Sequence, residues 1–251
     1  MAKLLHFEFH KLIRQKSFYI CLAVAVAMLV VSTCTTYLIN KDVMDTAEMG
    51  IDAMNVMIGS ASGGVLSMVI GVFIPLFACE DYVSGTIRNI VTRGYSRLGI
   101  FSAKLIAVML ATAVMTIACM AAGYLIGFIF SGSGVEPFDA ATVKILLCQL
   151  AVMLAEGALF YAISTVLQKT GGSIAVCLVL PMVLTIVLTL ADTALAEKDI
   201  SLSAYWLERI SGTLSSFDVK SADMKKALLT ALGYFVVTSA GSFLAVMKRE
   251  Y

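Results

Sequence analysis

Charge is scarce in this sequence where a soluble protein would need it. Charged residues make up 14% of the chain and hydrophobic residues 60%, whereas soluble domains carry about 25% charge. No Asp, Glu, Lys or Arg occurs from Phe18 to Ile39, or from Ala227 to Met247. A soluble helical bundle needs a polar stripe on each helix, so that class is excluded. Histidine is nearly absent as well: His6 and His10 are the only two, and both precede the first apolar stretch. An enzyme working inside a membrane needs a nucleophile–base pair or metal ligands there. The apolar stretches offer no histidine and a single acid, and HExxH and GxSG patterns are missing. An intramembrane protease is therefore disfavoured. No G-x-x-x-x-G-K-[ST] loop is present to cradle phosphates; Lys169-Thr170-Gly171-Gly172 is the nearest and lacks the preceding glycines. The six cysteines all fall in apolar stretches without a Cys-x-x-Cys pair. They read as small hydrophobes, with neither a disulfide framework nor a metal site.

What the chain does have is six apolar stretches, at 18–39, 54–79, 105–130, 145–168, 172–191 and 227–247. A bilayer core about 30 Å thick needs roughly 20 apolar residues per helix. The expected fold is an all-α polytopic membrane protein, one transmembrane domain over 1–251 with six spanning helices. The first stretch is too long for a signal-peptide core and is expected to stay as an anchor. Val31-Ser32-Thr33-Cys34 resembles a lipoprotein cleavage box only faintly.

Basic residues are distributed unevenly. With the N-terminus inside, the inner segments hold eleven Lys/Arg against four acids, while the outer ones hold seven against twelve. Five of those seven lie in the long segment 192–226, where the positive-inside bias is weaker. Both termini are expected in the cytoplasm, which agrees with six crossings.

Residues 3–16 form a basic amphipathic leader. Leu5, Phe9, Leu12 and Ile13 recur at helical spacing, with Lys3, Lys11, Arg14 and Lys16 largely elsewhere; the pattern predicts a helix in the membrane interface, its basic face toward anionic lipid headgroups. His6 and His10 stand i, i+4 on it, a spacing that can hold a metal. No third ligand is evident beyond Glu8, on another part of the wheel, so no metal is expected. The second stretch carries Gly59, Gly63, Gly64, Gly71 and Pro75, and Gly123-x-x-x-Gly127 in the third signals close helix packing within the chain. In 192–226, Leu207, Ile210, Leu214 and Phe217 recur beside Tyr205 and Trp206. This predicts an amphipathic external segment, either dipping into the outer interface or packed as a loop.

One polar break, 80–104, is both basic and glycine-marked. Val83, Ile87, Ile90 and Val91 fall at i, i+4, i+7 and i+8, an apolar stripe on a short helix. Burying Arg at mid-bilayer costs roughly 2.5–3.5 kcal/mol, so Arg88, Arg93 and Arg97 should hold this helix at the surface. Gly94 can end it in a left-handed conformation.

Asp81-Tyr82-x-Ser84-Gly85-Thr86-Ile87-Arg88-Asn89, followed by Gly94, Arg97 and Lys104, resembles the type-2 permeases of ATP-binding-cassette transporters. Within them the chain is most similar to the subunits of lantibiotic and bacitracin self-protection systems and related peptide exporters. The resemblance extends to the length, the six spans, the basic leader and the long last external segment. It implies that 80–104 is a cytoplasmic coupling region resting on a separate ATPase subunit. Its ATPase-coupling residues would be Glu80, Asp81, Tyr82, Ser84, Gly85, Thr86, Ile87, Arg88, Asn89, Arg93, Gly94, Arg97 and Lys104. It further implies two ATPase copies carrying ATP and Mg, no cofactor in this chain, and a second permease subunit, identical or different. The cargo would be an amphipathic or antimicrobial peptide, or another hydrophobic compound, moved out of a bacterial cell membrane. No nucleic-acid partner is expected. The alternative is an ion-coupled secondary transporter or channel acting without an ATPase, which would favour several intramembrane charges.

Glu156 is the acid inside a span, and Gln149 precedes it by seven residues on the same face. An intramembrane carboxylate marks a substrate path or dimer interface by default; an interhelical hydrogen bond is the structural alternative.

Overall fold

The computed structural model describes residues 2–43, 53–62, 64–87, 92, 94–131, 139–195, 201–216, 219 and 221–247. All regular structure among them is helical: α1 (Ala2–Arg14), α2 (Lys16–Val43), α3 (Ala53–Ser60), α4 (Val65–Val83), α5 (Arg97–Ser131), α6 (Ala140–Leu167), α7 (Thr170–Ala194), α8 (Leu207–Leu214) and α9 (Ser221–Met247), with a 3-10 turn at Ser203–Tyr205. Six segments are long and apolar enough to cross a membrane: α2, α3 with α4, α5, α6, α7 and α9. The chain is an all-α multi-pass membrane protein.

Helices α4, α5 and α6 form the interior, and α2, α7 and α9 expose most of their surface. Phe73, Ile74 and Phe77 of α4 meet Val108, Ala111 and Met115 of α5 and Met153, Phe160 and Tyr161 of α6 in the main core. An outward face of Val, Ile and Leu suits lipid, where no polar stripe is needed.

The second apolar stretch, expected as one span over 54–79, is one spanning segment built of two helices. The α3 end closes with bonds spanning three residues instead of four, Ala61 N–H to the Ile58 carbonyl at 3.3 Å and Ser62 N–H to that of Gly59 at 3.1 Å. Gly64 then takes φ 88°, a conformation that side chains disfavour. Irregular backbone at membrane depth is tolerated where it lines a cavity. Here Ser60, Ser62 and Gly64 line one of about 430 Å³, facing Ser32, Thr33 and Thr36 of α2.

Gly123 and Gly127 bring α3 onto α5. A Cβ at Gly127 would stand 2.6 Å from the Ala53 Cα, and one at Gly123 2.7 Å from the Ser60 Oγ. The G-x-x-x-G pattern therefore serves packing inside the chain, as expected.

Helices α4 and α5 overrun the boundaries read from hydropathy. Glu80 to Val83 continue α4, and Arg97 to Lys104 open α5. The connection between them shrinks to residues 84–96. A helix carrying Asp81 and another carrying Lys104 can continue into the bundle because these charges neutralise one another.

Helix α8 lies against the bundle rather than away from it. Leu207, Ile210 and Leu214 are buried with Val152 and Ala155 of α6 and Ala227 and Ala231 of α9; Phe217, the last residue of the expected stripe, lies outside the described residues. Asp192 at the end of α7 fixes the approach by accepting the backbone N–H of Leu202 at 2.6 Å and of Ser203 at 3.1 Å.

Candidate functional site

The foot of the bundle, where α1, the end of α4 and the start of α5 meet, holds a cluster of charges. Asp81 accepts from Lys11 Nζ at 2.6 Å and also pairs with Lys104. Lys11 reaches Glu80 as well, at 3.0 Å. Lys104 is 1% exposed and Asp81 4%. Each lysine sits over an aromatic face, Lys11 5.3 Å from the Phe77 centroid and Lys104 5.6 Å from that of Tyr82. Such contacts repay part of a cation's lost hydration.

Glu8 completes the cluster from α1. It is 1% exposed, and its carboxyl is pushed above the ordinary value by burial, with Lys104 and Lys11 opposing that shift and Asp81 adding to it. Burial works to lower Lys11, but its hydrogen bonds and charge interactions with Asp81 and Glu80 outweigh this and leave it above the usual lysine value. The two lysines face the carboxylates of Asp81 and Glu80 directly.

This contact sets which face of the leader helix meets the bundle. Its inner face carries Leu4, Glu8, Lys11 and Leu12, and Leu4 packs on Ile100 and Ala103 of α5. Ile13, expected on the apolar stripe, is 62% exposed. The basic face expected to meet headgroups gives up Lys11 to the protein interior.

The segment after α4 turns sharply. Ser84 caps the helix, its N–H bonding the Glu80 carbonyl at 2.9 Å, and Gly85 takes φ 69°. Ser84 and Thr86 share a hydroxyl hydrogen bond of 2.8 Å, and Ile87 is buried. The turn at Gly85 separates Val83, the last residue of α4 and 70% exposed, from Thr86 and Ile87, which are helical again, as is Thr92. Arg88, Asn89, Ile90, Val91 and Arg93 lie outside the described residues, as does the side chain of Arg97. Gly94 has φ 84°, and Ser96 caps α5 by accepting the Gly99 N–H at 3.2 Å. Val83, Ser84, Thr92, Gly94, Tyr95, Ser96 and Leu98 are exposed. Of the sequence-derived coupling set, then, Asp81 and Lys104 are internal, Tyr82, Gly85 and Thr86 are half-buried, and Glu80, Ser84 and Gly94 face outward.

A second polar group lies within the bundle. Glu156, about 24 Å along α6 from its first residue at 1.5 Å per residue, accepts a hydrogen bond from Ser67 of α4. The next residue, Gly157, lets α5 approach: a Cβ there would stand 2.9 Å from the Thr112 Oγ1. Gln149 donates to Ser211 at 3.3 Å and Ser215 at 3.4 Å on α8. The two residues share a helix face, as read, but serve different neighbours, Glu156 binding α4 and Gln149 binding α8.

Sequence reasoning missed Glu208. Its carboxylate accepts from Thr185 of α7 at 2.6 Å, and Thr185 in turn accepts the Trp206 indole N–H at 2.9 Å. The available signal was an acid one position past Leu207, on a helix whose remaining stripe is apolar. Ser67 was likewise unflagged, and Lys11 and Glu8 were read only as parts of the amphipathic leader. Among the described residues, no group of three or more His, Cys, Asp or Glu could hold a metal.

No curated protein matches the chain. Residues 4–192 match the family described as ABC-2 family transporter protein, covering α1 to α7 with the charged foot and the Glu156 site. This family is the membrane component of ATP-binding-cassette exporters; it lacks the ATPase domain and works in a dimeric arrangement with an ATPase partner. With that match over most of its length, the chain belongs to the ABC-2 family of transporter permeases.

Proposed function

We propose that the chain is a permease subunit through which a separate ATPase drives an amphipathic or antimicrobial peptide, or another hydrophobic compound, out of the cell or the membrane. In this reading both termini and residues 80–104 face the cytoplasm of a bacterial cell, and the exposed part of 84–96 is the surface offered to the ATPase. Two ATPase copies bind ATP and Mg, and a second permease subunit, of this or a related sequence, completes the translocation unit. The subgroup that self-protection exporters represent is the one proposed, on the motif from Asp81 to Asn89.

The observation that carries the reading is the charged foot. A mobile loop could not transmit a push into the bundle. Here the roots of the loop, at Asp81 and Lys104, are tied to each other and to α1 through Lys11. Movement imposed on 84–96 is thereby delivered to three helices as one body. Nucleotide closure of the ATPase would displace this foot, and the bundle would open toward the other side.

Reconstitution tests the proposal. The permease, co-purified with its ATPase in liposomes, is expected to move a cationic or amphipathic peptide in an ATP-dependent, vanadate-sensitive manner. Transport that persists with the ATPase removed would overturn it in favour of an ion-coupled carrier or channel.

A further inference from the structure

Pro181 interrupts the hydrogen bonding of α7: having no N–H, it leaves the Cys177 carbonyl without its helical partner. That carbonyl points at α4, lying 3.6 Å from where a Cβ on Gly71 would stand. Beside it, α4, α7 and α8 line an open groove of about 220 Å³ on the outer face of the bundle, where Met68, Met182 and Ile186 are exposed. Met68, Leu178, Met182 and Ile186 supply apolar walls, and Ser67, Thr185 and Glu208 supply polar atoms. Ser67 gives its hydroxyl proton to Glu156, and Thr185 gives its own to Glu208 or to the Pro181 carbonyl. What the pocket can offer a ligand is therefore acceptor oxygen, with a carboxylate among it.

Among the described residues, that carboxylate accepts one hydrogen bond, and neither Glu208 nor Glu156 pairs with a lysine or arginine. A half-buried carboxylate beside apolar walls gives a cation with a hydrocarbon body both a charge partner and an apolar contact. A small inorganic cation would lose more hydration than these few oxygens return, since hard cations take six or more oxygen ligands. A quaternary ammonium cation has a weakly hydrated head and a hydrocarbon body that matches the walls.

We propose that this pocket binds an amphipathic cation, its ammonium group seated on Glu208 and its hydrocarbon along Met68, Leu178, Met182 and Ile186. Calling the pocket a cargo subsite rests on the exporter reading. The binding itself needs no ATPase, so a failed binding test leaves that reading standing, and failed transport leaves the binding standing.

The chain carries its own reporter. Trp206 is its single tryptophan, and its indole N–H bonds the threonine that bonds Glu208. The full-length permease in neutral maltoside detergent is titrated with octyltrimethylammonium and, separately, with octanesulfonate, which has the same tail and opposite charge. The expected result is a saturable change in Trp206 emission for the cation only, with affinity at least tenfold weaker in Glu208→Gln. Indistinguishable responses to the two probes in the unmodified protein would overturn the proposal, whatever the variant does. So would unchanged cation affinity in a Glu208→Gln protein that retains its elution profile and thermal midpoint.

Discussion

Lys104 of α5 and Asp81 of α4 pair out of reach of solvent, their side chains 2% and 5% exposed, and Lys11 of α1 closes on the same carboxylate at 2.6 Å. Losing one partner from a buried pair leaves an uncompensated charge, which costs about 3–5 kcal/mol. Because Lys11 stays on Asp81, Lys104→Met is expected near the lower end of that range. The double variant Lys104→Met/Asp81→Asn should lose less than the sum of its single variants, since residues in one network are coupled. Thermal unfolding of the purified permease reads this out; strict additivity would mean the two charges do not depend on each other.

Glu8 gives the foot a pH dependence of definite sign. Its carboxyl is raised above 4.5, first by burial. The stability it confers is therefore fully present below that value and is lost as pH rises through the higher folded value. Replacing it by an uncharged isostere removes the loss. Glu8→Gln should raise the thermal midpoint relative to the unmodified protein near neutral pH and leave it little changed at about pH 4.5. Lys11 is raised above 10.5, so its contribution is fully present below that value and lost as pH rises through the folded value. Lys11→Met should accordingly cost the same at mildly acidic and mildly alkaline pH. A midpoint difference for Glu8→Gln that grows toward acid would reverse the assignment.

The closeness of α3 and α5 can be checked one methyl group at a time. Gly127→Ala places a Cβ 2.6 Å from backbone, the Ala53 Cα. Backbone cannot rotate away, so α3 must shift, at a cost typical of overpacking, about 1–3 kcal/mol. Gly241→Ala on α9 meets nothing within 4 Å, and alanine is the better helix former by about 0.5–1 kcal/mol. The two variants should move the thermal midpoint in opposite directions. A neutral Gly127→Ala would mean that α3 is not held where the packing places it.

The spans were legible because uncharged runs of bilayer length permit few other folds, and Gly123 and Gly127 were legible because small residues at that spacing permit close approach. The foot was not. Reading charge as a mark of the surface put Lys11, Asp81 and Lys104 outside, and nothing in the sequence shows that residues 70 and 23 positions apart cancel. In α1, helical spacing selected Leu5, Phe9, Leu12 and Ile13 as an apolar stripe, and Leu12 is buried, but spacing gave no sign that Glu8 and Lys11 would find partners inside the bundle. The break near Gly64 escaped because apolar content continues through it, and hydropathy records burial rather than backbone conformation. Glu208 was hidden by its neighbours: one acid in an amphipathic stripe looks like its polar edge until α7 is seen to supply Thr185.

Arg88 and Arg93 lie on the segment proposed to meet the ATPase, and the foot lets their role be separated from folding. Loss of the Lys104–Asp81 pair should loosen the permease itself. Reversal of Arg88 and Arg93 to Glu should instead leave insertion and thermal midpoint unchanged, because Lys11, Asp81 and Lys104 tie the loop's roots together. The expected effect falls on assembly, with the ATPase binding at least tenfold more weakly, on the order of 1.4 kcal/mol, and the loss growing at low salt as charge contacts do. Co-purification and ATP hydrolysis at two ionic strengths measure it. A reversed-charge permease that still assembles and hydrolyses normally would move the contact away from 84–96, to another exposed part of the foot such as the outer face of α1, where Phe7 and Ile13 stand in the open.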